Sequence, residues 1–269
     1  MRTPEATAAP IFIGGLMKSG SSLLRKLLCD HPAIFGGLET HWCSAEFRDG
    51  YRDQGSRRQR WLREFYDVDP EQQRRLLDAA GSPYQYLDVF LGWCAHREGK
   101  RRWAEKTPDN VLHRALIAEH WPDALLLHAV RDYRDVFASW KKNRKGTLDE
   151  FIQHCRCIVE ALPDVLGRRT SSYLEVRYEE LVTDTSRTLH DVLEFVGEPW
   201  VDGLDDYAGD PREHELVLRV SGKDSPTAAS LGKPIFKSSV GQYRSVLSAA
   251  EVSALEHELE EPMRLWGWL

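Results

Sequence analysis

The sequence has little of the material that staples small secreted folds or builds membrane spans. Only five of its 269 residues are cysteine: Cys29, Cys43, Cys94, Cys155 and Cys157. An odd, scattered set argues against a disulfide framework, and a reducing cytoplasm is the expected location. Cys155 and Cys157 have no second pair of metal ligands beside them, and on a helix side chains two apart diverge, so no metal is expected. No apolar run approaches the length of a membrane span. The opening stretch, Met1 to Pro10, is small and polar and lacks the apolar segment of a signal peptide. Positive charge is not in excess. Lys and Arg number 36 against 42 Asp and Glu, for a formal net charge of −6. That speaks against nucleic acid or an anionic membrane surface as a general partner and makes any anion site a local one. There is no internal repeat and no long linker. The chain is therefore read as a single domain, 1–269, long enough to bury a substantial core.

What is present is an alternation of strands and helices. Pro10 to Gly15 reads as a short buried strand entering a glycine turn, and Ser21 to Cys29 as a helix with Leu23, Leu24, Leu27 and Leu28 on one side. Ala124 to Val130 is a second buried strand, followed by a helix from Asp135 to Lys142. Tyr173 to Tyr178 is a third strand. The helix after it carries Leu189, Val192, Leu193 and Val196 and stops at Gly197. A last helix begins at the capping box Ser248 to Glu251. This alternation predicts an α/β fold, a mainly parallel sheet with helices on both faces. Residues 46–103, rich in Arg, Glu, Tyr and Trp, are mostly helical in pattern. Residues 203–232, with Gly, Pro, Asp and Ser, read as a long loop. Both are expected on the substrate side, as lids or walls, although a solvated helical face and a mobile loop would read the same.

The segment Gly14-Gly15-Leu16-Met17-Lys18-Ser19-Gly20-Ser21-Ser22 joins the first strand to the first helix. Glycines let the backbone turn tightly, and a helix N-terminus offers free N–H groups and partial positive charge to an anion. Lys18 and the hydroxyls of Ser19, Ser21 and Ser22 add donors. Gly15 and Gly20 have the spacing of the nucleotide-triphosphatase loop, but Ser21 stands where that loop needs its lysine. Such an enzyme also needs a magnesium-binding acid at a strand end. The strand at 124–130 ends instead in Arg131.

Lys18-Ser19-Gly20-Ser21-Ser22 resembles the 5′-phosphosulfate loop of sulfotransferases that use 3′-phosphoadenosine-5′-phosphosulfate (PAPS). Val130-Arg131-Asp132 through Ser139 is similar to that family's second signature, in which the Arg and the Ser eight residues later hold the 3′-phosphate. The resemblance thus implies Arg131 and Ser139 for this role. It extends to Glu105-Lys106-Thr107-Pro108, to Val176-Arg177-Tyr178-Glu179-Glu180-Leu181, and to the stretch Lys233 to Arg244. In these, Tyr178 and Ser230 resemble nucleotide contacts. Where the family often has a basic residue before the aromatic, Gln242 precedes Tyr243, so Lys233, Lys237 or Arg244 is left to supply the charge. The protein-tyrosine and related bacterial members are more similar than the cytosolic phenol type. Residues 46–103 and 203–229 show no match.

The resemblance implies a P-loop-like central parallel sheet flanked by helices, a helical substrate-side insertion, PAPS as donor and 3′-phosphoadenosine-5′-phosphate (PAP) as product, without a metal. Sulfuryl transfer needs an aligned donor and acceptor, a base, and cations where charge builds on the leaving phosphate. Lys18 is the expected cation at the bridging oxygen and Lys106 the second. Glu39, in Gly37-Leu38-Glu39-Thr40-His41, occupies the place of the tyrosine-type catalytic Glu. A carboxylate beside an apolar wall is expected to have a raised pKa. His41 is the rival base, and His128, inside an apolar strand, is read as core. The acceptor is a hydroxyl of unspecified class. Nine tryptophans point equally to an aromatic acceptor or to core packing. Two other readings stay open: a P-loop kinase of a nucleoside or small molecule, and a catalytically silent nucleotide-binding module.

Overall fold

The structure is a computed structural model and describes residues 8–143 and 145–269. Met1 to Thr7, the first part of the polar opening stretch, lie outside the described residues. The chain runs β1 (Ile11–Gly14), α1 (Ser21–Cys29), β2 (Ile34–Gly36), α2 (Ala45–Gly50), α3 (Arg57–Tyr66), α4 (Pro70–Asp78), α5 (Pro83–Arg97) and β3 (Arg102–Lys106). A 3-10 turn (Pro108–His113), α6 (Arg114–His120), β4 (Leu125–Val130), α7 (Tyr133–Lys142), α8 (Leu148–Ala161) and β5 (Tyr173–Arg177) follow. The remainder is helical: α9 (Tyr178–Thr183), α10 (Thr185–Val196), α11 (Arg212–Ser221), α12 (Pro226–Leu231), α13 (Tyr243–Val246), α14 (Ala249–Glu258) and α15 (Glu260–Leu265).

The five strands form one sheet in the order β2-β3-β1-β4-β5, and every neighbouring pair is parallel. Parallel strands need helical crossovers, and these cover both faces. Alternation along β1 and β4 sorts the core. Phe12, Leu126 and Val130 face one layer with Trp42, Trp103 and Trp121. Ile11, Ile13, Leu127 and Ala129 face the other, against Leu24, Leu27 and Leu28 of α1 and Leu189, Val192, Leu193 and Val196 of α10. The α/β fold and the flanking helices expected from the sequence are those observed.

Two further strands complete the sheet: β2, Ile34-Phe35-Gly36, is apolar but only three residues long, and β3 carries charge. β3 is Arg102-Trp103-Ala104-Glu105-Lys106, all buried. Its charges are buried because each has a partner. Arg102 donates to the carbonyl of Val196 at 2.5 Å, Glu105 accepts from Thr40, Thr107 and Asn110, and Lys106 pairs with Glu39.

The stretch 203–232, expected as a loop, instead contains α11 and α12. Ser225 caps α12 by accepting from the Ala228 N–H, with Pro226 in the first turn, and α11 ends on Gly222 in the left-handed region. Those caps outweigh the loop-like composition. The capping box at Ser248 opens α14 as expected, but α15 follows it. Ser139 lies in the second half of α7.

Candidate active site

In open parallel sheets, ligands bind outside the carboxyl ends of the strands where the order reverses. Here the chain crosses from β3 on one side of β1 to β4 on the other. Each strand end delivers one residue of the expected set. Across the edge, in sheet order, these are Glu39 after β2, Lys106 closing β3, Lys18 after β1, Arg131 after β4 and Tyr178 after β5. All five line one cleft of about 670 Å³, together with Gly20, Ser21, Ser22, Ser139 and Ser230.

The phosphate loop is held in a sharp conformation. Gly15 and Gly20 take φ 135 and 100, and Lys18, which has a Cβ, takes φ 80. A side chain in this region costs about 1–2 kcal/mol. Contacts from α7 and its approach offset that cost: Arg131 donates to the Lys18 carbonyl at 3.1 Å and the Trp140 indole to the Met17 carbonyl at 2.7 Å. At Gly20 a Cβ would run into the Tyr178 ring. The first turn of α1 has no side-chain cap, so its N–H groups face the cleft uncompensated, as an anion site requires. Ser19 does not line the cleft. Its hydroxyl is buried, close to where a Gly15 side chain would stand, and has no hydrogen-bond partner among the described residues.

One half of the cleft is built around Arg131. Its guanidinium lies 4.2 Å from the Tyr178 ring centroid and donates to the Ser239 carbonyl at 2.6 Å. Tyr178 and Ser239 share a hydroxyl contact of 2.5 Å. The Nε of Arg131 is buried without a partner among the described residues. An orphaned guanidinium N–H beside Ser139 and an uncapped helix N-terminus fit a bound phosphate anion. Asp135 positions this half: its carboxylate accepts from the N–H groups of Gly241 at 2.7 Å and Tyr243 at 2.9 Å, docking the C-terminal loop on α7. Gln242 lines the cleft with Lys233. Lys237 does not line it, and its ammonium donates instead to the Thr183 carbonyl at 3.3 Å. Ser230 reaches the cleft, but its hydroxyl donates to the Pro226 carbonyl within α12.

The other half holds an ion-paired cluster of titratable side chains. The Lys106 ammonium donates to Glu39, and His41 Nε2 is 3.3 Å from the second Glu39 oxygen. Burial raises the Glu39 carboxyl, but Lys106 and then His41 outweigh it and hold the group below its ordinary value. This corrects the expectation of a raised pKa: the cation on β3 wins over the apolar wall. Burial holds His41 below its usual value, partly offset by Glu39, and its ring stacks on Trp61 at 5.7 Å. Burial lowers Lys18 to about 8, helped by Lys145 and Lys106. His128 is buried, its Nδ1 is 2.7 Å from the Tyr173 hydroxyl, and burial lowers its pKa to about 3. Of the tryptophans only Trp61 lines the cleft, among the described residues, beside Leu38, Phe65, Pro108 and Val217.

The stretch 203–232, which holds α11 and α12, lines the cleft and is tied to the loop after β1 and to the first helix at three points. Lys18 donates to Thr227 at 2.6 Å, Arg25 pairs with Glu213, and Lys26 lies 3.1 Å from Asp210. Ser239, Asp135, Thr227 and Trp61 were not singled out in the sequence. Asp135 and Ser239 had a signal there, lying inside the 130–139 and 233–244 stretches that bear the family resemblance.

Together these features define an α/β protein with a P-loop-like sheet, an uncapped helix N-terminus at its cleft and an ion-paired carboxylate at one end of it. Residues 10–202 match the sulfotransferase family model, and the chain belongs to that family. Protein-tyrosine sulfotransferase 2 of Gallus gallus is 27% identical over 207 residues, covering 71% of this chain and 52% of its own. The chain thus spans about half the length of the curated relatives it matches. The sulfotransferase domain of the Synechococcus PCC 7002 olefin synthase has the same fold, with a TM-score of 0.65 at 21% identity, over 97% of this chain and 98% of that one. A mouse sulfotransferase, SULT7A1, solved in complex with PAP, shares the fold at a TM-score of 0.50 and 13% identity, over 97% and 86% of the two chains.

Proposed function

We propose that this chain transfers a sulfuryl group in line from PAPS to an acceptor hydroxyl, with Glu39 as general base and Lys18 stabilising the leaving phosphate. One observation carries the reading. A carboxylate paired with a lysine stands at one end of a single cleft, a phosphate-reading arginine at the other, and the phosphate loop with Lys18 between them. Arg131 and Ser139 would hold the 3′-phosphate, with Tyr178 beside them. The first turn of α1, with Ser21 and Ser22, would hold the 5′-phosphosulfate. Glu39 would take the acceptor proton while the acceptor oxygen bonds to sulfur and the bond from sulfur to the bridging oxygen breaks. The charge left on the phosphate of PAP would be met by Lys18, with Lys106 behind it.

The acceptor half is walled by Leu38, Trp61, Phe65, Pro108 and Val217, which suits a hydroxyl carried on an apolar or aromatic group. The relatives above are named for protein tyrosine, so a phenolic hydroxyl is the first acceptor to test. Cationic side chains and helix N–H groups supply the charge this mechanism needs, so turnover in EDTA is expected to be undiminished. Titration with PAP and with ATP, with and without magnesium, tests the reading. Tight PAP binding that is indifferent to magnesium supports it, and magnesium-dependent ATP binding with no PAP binding replaces it with the kinase.

A further inference from the structure

Glu105 is fully buried one residue before Lys106, has no cationic partner among the described residues, and plays no part in the chemistry above. A lone buried carboxylate is costly unless hydrogen bonds satisfy it. Here four donors converge on it. Its Oε1 accepts from the Thr40 N–H at 3.1 Å, the Thr40 hydroxyl at 2.9 Å and the Thr107 hydroxyl at 2.7 Å. Its Oε2 accepts from the Asn110 amide at 2.7 Å. The network then reaches outward. Thr107 accepts from the His41 N–H at 3.3 Å. Asn110 donates to the Ile13 carbonyl at 2.9 Å, where β1 enters the phosphate loop, and accepts from the Trp42 indole at 2.8 Å.

Thr40 stands between Glu39 and His41, and His41 has the left-handed φ of 50. Nothing in the regular structure of the sheet would hold that backbone. We propose that Glu105 is a positioning residue: its carboxylate clasps Thr40 by main chain and side chain, and so fixes Glu39 against Lys106, the next residue on the same strand. The proposal rests on the reading of Glu39 as the base. Glu105 points to the Trp103 face of the sheet and Lys106 to the opposite face, as strand alternation requires. The clasp therefore acts from beneath the site, out of reach of any substrate.

The test reads Glu39 itself. Protein labelled with ¹³C-glutamate is titrated by NMR, the Glu39 carboxyl resonance being identified by its loss in Glu39→Gln. The charged groups around Glu39 are Lys106 on β3, His41 on its own loop, Arg25 on α1, Lys18 in the phosphate loop and Arg58 on α3. Of these, Lys106 holds the carboxyl down most strongly. In Glu105→Gln the new NH2 must face either the Thr40 N–H or the Asn110 amide donor to donor, the clasp loosens, and the Lys106 contact weakens. The Glu39 midpoint is expected to rise by about one pH unit, and turnover to fall on the order of 10- to 100-fold, with PAP affinity changed less than about twofold. Deleting the charge of Glu105 alone would move Glu39 downward, so the direction separates positioning from electrostatics. A lower or unmoved midpoint overturns the proposal.

Thr40→Val is the gentler companion should Glu105→Gln fold poorly. It is nearly isosteric, changes no charge and keeps the Thr40 N–H bond, and the same upward movement is expected at smaller size. If Glu39→Gln proves fully active, the choice of base fails, yet the titration still decides the role of Glu105.

Discussion

The ammonium of Lys106 and the carboxylate of Glu39 form an ion pair at the carboxyl edge of the sheet, joining the ends of two adjacent strands. The pairing keeps Glu39 ionised through the neutral range and below the usual carboxylate pKa. As the proposed base, such a carboxylate is always ready and intrinsically weak, so its contribution would depend on placement as much as on proton affinity. Glu39→Gln is expected to leave PAP affinity within about twofold and to lower single-turnover transfer by about 10²–10⁴-fold. Because the carboxyl is held low, the wild-type rate should decline only as pH falls below the usual carboxylate range. His41→Ala should cost less. Near-normal turnover in Glu39→Gln with an inactive His41→Ala would make His41 the base.

Arg131 should read the 3′-phosphate. Its buried Nε, without a partner among the described residues, and Ser139 in the same cleft predict a preference for PAP over 5′-AMP. A charge-assisted contact of this kind contributes about 1.5–3 kcal/mol, or roughly ten- to hundred-fold in affinity. Calorimetry of the two nucleotides measures it. Arg131→Ala should erase most of the preference, and equal affinities in the wild type would remove Arg131 from this role.

Lys18 makes nucleotide binding pH-dependent. In the free protein its ammonium loses its proton near pH 8, because burial and the neighbouring Lys145 and Lys106 disfavour the charge. A bound phosphate favours that charge and raises the pKa. Above about pH 8 binding must therefore take up a proton, and affinity should fall by up to about tenfold per pH unit until the pKa of the complex is reached. Calorimetry at pH 9 in two buffers of different ionisation enthalpy should show uptake approaching one proton. Lys18→Met should abolish both the uptake and the slope. A wild-type affinity flat from pH 7 to 9.5 would mean that Lys18 does not face the phosphate in solution.

The difference between what was legible in the sequence and what was not follows the range of the contacts. β1, the phosphate loop and α1 could be read because glycine spacing, leucine periodicity and the Lys-Ser-Gly-Ser-Ser run all lie within twenty residues. Arg131 and Ser139 share one strand-to-helix segment and could be read for the same reason. Asp135 receives the C-terminal loop across 106 and 108 positions, and Lys18 meets Thr227 across 209, so neither pairing has a local signature. β3 was hidden by its own charges. Arg102, Glu105 and Lys106 make it read as surface, and only their partners, spread from Ala9 to Glu198, explain why it is core. The pKa of Glu39 was misjudged on the same ground, since its sign depends on a lysine 67 positions away.

The three ties that hold the stretch 203–232 to the loop after β1 and to the first helix are unequal, and Arg25 with Glu213 is the decisive one. Arg25 is buried in the face of α1, while α11 buries none of its own residues. Glu213→Ala would leave a buried guanidinium without its carboxylate, at a cost of about 3–5 kcal/mol if nothing moved. A helix with so little apolar burial opens for less than that, and opening lets water reach Arg25. The expected result is therefore faster amide exchange across 203–232, with the global unfolding midpoint nearly unchanged. PAP affinity should fall by about three- to tenfold, since the closed arrangement that brings Thr227 and Ser230 to the cleft becomes a smaller fraction of the molecules. Arg212→Ala, which removes an exposed partner of Asp210, should do neither. Hydrogen exchange that stays slow in this stretch while global stability drops by about 3 kcal/mol would show that Arg25 and Glu213 hold the core together rather than the lid.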